Sequence, residues 1–118
     1  MKTMLKTIMH EGEPCYALMF NCPGCEEFGY SGIHLIPIKY MPEGDGYPPW
    51  DPGHDTDFWY WNGDHHHPTL RPSLVVKFEE GQKCHCMLEN GVFRYLNDST
   101  HSYSGMNVEL GDIPEEYL

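Results

Sequence analysis

The sequence predicts a small, mainly β fold: an antiparallel sheet with a zinc-ribbon-like Cys-Pro-Gly-Cys knuckle and a C-terminal Asn-Gly hairpin. Three observations lead there. Gly 12 and Pro 10 in 118 residues leave little uninterrupted chain for long helices. Short apolar and aromatic runs alternate with turn residues along the whole length. Asn90-Gly91 lies between two alternating segments and is a strong hairpin signal, because both central residues of a type I′ turn take positive φ.

Taken in order, residues 1–20 break their apolar stretches with Lys6, His10, Glu11 and Glu13, so neither a secretory signal nor a membrane span is expected. A cytoplasmic protein follows, with Cys15, Cys22, Cys25, Cys84 and Cys86 as reduced thiols. Residues 16–20 read as a strand feeding the turn at Cys22-Pro23-Gly24-Cys25. Residues 33–40 read as a second strand, which Pro37 pushes toward a sheet edge. Residues 41–56 change to Pro, Gly and Asp, an acidic surface loop of unusual length. Aromatic strand character returns at 58–61, before an Asn62-Gly63-Asp64 turn. Residues 73–78 form a third strand, and 83–96 the hairpin. No linker or repeat divides the chain, so residues 1–118 are expected to form one zinc-binding β domain.

Lys+Arg 7 against Asp+Glu 18 gives a net charge of −11. Without a basic run to meet phosphates, direct nucleic-acid binding is not expected. The acid surplus suits solubility or a basic protein partner.

Cys22 and Cys25 carry the main chemical signal. Two thiolates at this spacing on a tight turn can grip one tetrahedral ion. A redox pair shares the spacing but normally opens a helix, and residues 26–30 (EEFGY) are poor helix material. The Asn90-Gly91 turn pairs Glu89 with Val92, Met87 with Arg94 and His85 with Leu96. Alternation then places Cys84, Cys86, Leu88, Phe93 and Tyr95 on a core-facing side. His85, Met87, Arg94 and Leu96 share the other side, with Asp98 at its end. Two ligand sets for Zn2+ follow. Cys22, Cys25, Cys84 and His101 make a Cys3His site; Cys22, Cys25, His85 and His101 make Cys2His2, and Cys86 can stand in for Cys84. The first is preferred, because thiolates suit structural zinc. The run His65-His66-His67 reads as a solvated loop, and Trp59 with Trp61 as packing residues of one face.

The order Cys22-Pro-Gly-Cys25, Trp61-Asn-Gly-Asp64, Pro68-Thr-Leu-Arg-Pro-Ser73, Cys84-His85, Asn90-Gly91 and Asp98-Ser-Thr-His101 resembles a family of small proteins encoded mostly by phages and prophages. Some of its members carry the label "ammonia monooxygenase", which none of these residues supports. The resemblance spans roughly residues 17–114; the family's recurring positions match Cys22, Cys25, His34, Trp61, Asn62, Gly63, Pro68, Thr69, Pro72, Ser73, Cys84, His85, Gly91, Asp98, Thr100 and His101, and it implies no particular activity.

Two functional expectations follow. The first is a zinc-stabilised, phage-type interaction module that binds a protein partner and inhibits or modulates a host system. The alternative is a small metal- or His-dependent hydrolase built on His85, Asp98 and His101, with His34 nearby and Ser73 or Thr100 as the hydroxyl.

Overall fold

The computed structural model describes residues 1–40 and 58–118; the acidic loop expected at 41–56, with Trp50, lies outside them. The strands fall into two sheets. The first has the order β1 (Met4–His10), β2 (Glu13–Asn21), β3 (Ile33–Tyr40), β4 (Trp59–Trp61), β5 (Leu70–Arg71). The second runs β6 (Leu74–Lys77), β7 (Lys83–Glu89), β8 (Val92–Tyr95), β9 (Asn107–Glu109). All ladders are antiparallel except β3 with β4. Among the described residues the one α-helix is a single turn, α1 (Pro23–Glu26). The mainly β class and the late hairpin are as expected, and β7 pairs β8 in the predicted register, Glu89 with Val92 and Met87 with Arg94.

β1 was not anticipated. It pairs with β2 along its whole length through a turn at Glu11 (φ 51) and Gly12 (φ 81). A glutamate rarely adopts positive φ, so Glu-Gly lacks the local signature that Asn-Gly carries. Pro37 sits in a strand with neighbours on both sides, yet β4 joins β3 only at Ile38–Tyr40. The proline lies just before that junction, where no donor is needed on the β4 side.

The inner faces of the two sheets share one core. Leu18, Phe20, Ile38, Trp61 and Leu70 meet Leu74, Leu88, Phe93 and Tyr95, with Phe20 and Phe93 6.0 Å apart between ring centroids. Each such buried side chain contributes about 1.5–3 kcal/mol of hydrophobic stabilisation. β7 alternates strictly: Cys84, Cys86 and Leu88 are buried, while Lys83, His85, Met87 and Glu89 are half-buried on the outer face.

The spaced motifs converge on one knot. The Asn62 side-chain oxygen accepts from the backbone N–H of Asp64 and Thr69, and its Nδ2 donates to the His67 carbonyl. Thr69 Oγ1 accepts from Asn90 N–H at 2.8 Å, and the Pro68 carbonyl accepts from Gly91 N–H at 2.9 Å. Gly91 has φ 76, and a Cβ there would stand 3.2 Å from the His67 backbone. The loop thereby locks to the hairpin tip and delivers residues 70–77 alongside β7. The three imidazoles of 65–67 are exposed, although His65 Nδ1 lies 2.7 Å from the buried Thr3 hydroxyl.

Candidate active site and cysteine centre

β6 and β7 pair Val75 with His85 and Leu74 with Cys86, which sets Ser73 beside the outer face of β7. His85 Nε2 lies 3.2 Å from Ser73 Oγ. His85 Nδ1 lies 3.0 Å from both Asp98 Oδ1 and Oδ2. The segment carrying Asp98 is fastened to β7: Leu96 N–H and Ser99 Oγ both donate to the His85 carbonyl, and Thr100 N–H donates to the Lys83 carbonyl at 2.8 Å. Ser99 Oγ also accepts from His85 N–H at 2.9 Å. Lys83 Nζ stands 2.6 Å from Asp98 Oδ2.

This environment keeps Asp98 ionised. The hydrogen bond from Lys83, and after it that from His85, pulls its carboxyl down to about 2. The depressed value has a definite sign. Its stabilising contribution is present above the unfolded carboxyl value and is lost only as the pH falls from there through about 2. Nδ1 of His85 therefore faces a carboxylate at neutral pH, a contact that favours the tautomer carrying the proton on Nδ1.

The inner face of the same strand holds the cysteines. Sγ of Cys22, Cys25 and Cys84 all lie within 4.8 Å of one another and all three residues are buried. Cys22 and Cys84 sulfurs are 3.9 Å apart. Two imidazoles flank them: His101 Nε2 is 3.3 Å from Cys84 Sγ, and His34 Nε2 is 3.3 Å from Cys25 Sγ. The Tyr95 hydroxyl accepts from Gly24 N–H and lies 3.2 Å from Cys22 Sγ. The Cys22 thiol is drawn far below its ordinary range by hydrogen bonds from Cys25, then from Cys84 and Cys86. Those bonds in turn push Cys25 and Cys86 up. Converging buried sulfurs flanked by imidazoles are the chemistry of a soft-metal site.

The candidate residues thus divide across one strand. Ser73, His85 and Asp98 meet on the outer face. Cys22, Cys25, Cys84, His101 and His34 gather inside, with Cys86 beside Cys84. His85, weighed as an alternative ligand, turns away from the thiols. Thr100 Oγ1 bonds to the backbone of Lys83 rather than to an imidazole. The sequence reading overlooked Lys83 and Tyr95, whose side chains act at distances that parity does not reveal. The knuckle itself forms the single helical turn α1, which ends at Glu26, so the segment after it is not helical, as its composition implied. Gly24 is needed for close approach: a Cβ would stand 2.5 Å from His101 Nε2 and 2.9 Å from Tyr95 Cε1. Gly24→Ala is expected to displace His101 and cost about 1–3 kcal/mol, read as a lower Tm and a weaker hold on bound metal.

A hydroxyl, an imidazole and a carboxylate joined in that order form the constellation of a serine hydrolase. A protein-family model described as BubE, bacterial ubiquitination-like system serine protease, matches residues 2–96, which include Ser73 and His85. The chain belongs to this family. No curated protein and no solved structure matches it. The family description overturns the first functional expectation, a non-catalytic module modulating a host system, and favours the hydrolase alternative. The phage-type label expected from the motifs forms no part of that description. Among the described residues no helix is long and apolar enough to cross a membrane.

Proposed function

We propose that this chain is a serine protease of a bacterial ubiquitination-like system, with Ser73 as nucleophile, His85 as general base and acid, and Asp98 as the carboxylate that orients the imidazole. One observation carries the reading: the His85 ring touches Ser73 Oγ through Nε2 and both Asp98 oxygens through Nδ1. In the reaction, Nε2 takes the hydroxyl proton as Oγ attacks the carbonyl carbon of an amide bond. The protonated ring then gives that proton to the departing amine, leaving an acyl ester on Ser73. A water, deprotonated by the same nitrogen, cleaves the ester and restores the hydroxyl. A fluorophosphonate tests this directly: the P–O bond to an activated serine forms as fluoride leaves. Peptide mapping is expected to find the adduct on Ser73, and an unlabelled Ser73 under conditions that label a control serine hydrolase would refute the assignment.

The reading includes a structural Zn2+ held by Cys22, Cys25, Cys84 and His101 within one zinc-binding β domain. Three gathered thiols and an imidazole 3.3 Å from one of them support it. The metal would supply cross-linking, since Ser73, His85 and Asp98 lie on the other side of β7. A cytoplasmic setting, where thiols stay reduced, fits that ligand set. The protein partner in this scheme is the substrate.

A further inference from the structure

Asp98 differs from the usual acid of such a triad in being open to water, with its side chain 46% exposed. A carboxylate in that position is free to rotate toward solvent, and an imidazole that loses it loses both its tautomer and its aim. Lys83 counters this. Its ammonium sits 2.6 Å from Oδ2, and its own backbone N–H and carbonyl are bonded to Thr100, in the segment that carries Asp98. The position has a cost. Lys83 lies directly opposite Lys77 in the β6–β7 register, and like charges so placed destabilise a ladder. Only seven basic residues occur in the chain, and two of them are spent on this pair.

Resting on the serine-protease reading, we propose that Lys83 is the positioning residue of the triad: it pins one oxygen of Asp98 so that the carboxylate stays in the plane of His85 and Nε2 stays aimed at Ser73. It acts through Asp98 and touches no reacting atom.

The test is the rate at which a fluorophosphonate labels Ser73 in the full chain, with its saturation behaviour. Lys83→Met is expected to lower the maximal labelling rate about 10- to 100-fold while leaving the half-saturating concentration unchanged, as loss of an orienting partner does. Lys83→Arg, which restores a cation with donors, is expected to recover most of the rate. Proton NMR supplies a signature independent of activity: the low-field Nδ1 proton of His85 should broaden or vanish in Lys83→Met and persist in Lys83→Arg. Should Lys83→Met fail to fold, Lys83→Gln removes the charge with a polar stem. Labelling of the neutral variant at the wild-type rate would overturn the proposal, as would an arginine variant as slow as methionine. A wild-type Ser73 that never labels overturns instead the protease reading beneath it.

Discussion

Ser73→Ala is expected to lower kcat by roughly 10⁴–10⁶-fold, with the double variant Ser73→Ala/His85→Ala no slower than either single one. The magnitude follows from the linkage of the groups. Once the hydroxyl is gone His85 has no proton to take, so removing it costs nothing further. At 1.36 kcal/mol per decade the loss amounts to about 5–8 kcal/mol of transition-state stabilisation. Independent contributions would multiply to a far larger deficit, so additivity itself would count against a shared mechanism. Asp98→Asn is expected to fall near the 10⁴ end, because it leaves the chain of contacts but favours the wrong tautomer. The measurement is steady-state hydrolysis of a conjugate or precursor from the same ubiquitination-like system. Metal content and circular dichroism should stay at wild-type values throughout. His85 faces away from the thiols, so His85→Ala that lost metal would reveal a ligand and count against the proposed base.

Chelation, or Cys22→Ser, is expected to have the second large effect, loss of the folded state, if the proposed zinc is bound. Structural zinc is worth about 10–16 kcal/mol in small peptides, against about 5–15 kcal/mol for the net stability of a whole domain. Cys22 joins β2 to α1, Cys84 lies in β7, and His101 belongs to the turn after β8, so a shared ion would link segments far apart in sequence. Thermal unfolding with and without chelator, paired with metal analysis, reads the effect. Purified protein with less than about half an equivalent of zinc and an unchanged Tm would remove the metal from the account. Activity should disappear with the fold, because Cys84 and His85 are neighbours on one strand.

Much of this was legible in the residues because β geometry has a period of two. Asn90-Gly91 sets the hairpin register. From that register follow the inward set Cys84, Cys86, Leu88, Phe93 and Tyr95, all buried, and the outward pairing of His85 with the side that ends at Asp98. What stayed hidden depends on longer range. β1 closes on an unfavourable Glu11-Gly12 turn, and its pairing is fixed by the partner strand rather than by local preference. Ser73 was one of several hydroxyls within plausible reach; only the β6–β7 register and the knot at Asn62, Thr69 and Asn90 select it over Thr100. Choosing a catalyst over a binding module required seeing that the imidazole meets Ser73 and Asp98 at once.

The two-sided character of β7 restricts how the gene can vary. A one-residue shift of that strand's register would turn its whole set of side chains over, carrying His85 toward the interior and Cys84 toward solvent. Both clusters would be broken in one event, whereas a shift of two residues would keep each side chain on its own face. A single inserted residue is therefore tolerated in this ribbon only where a bulge absorbs it before the register changes.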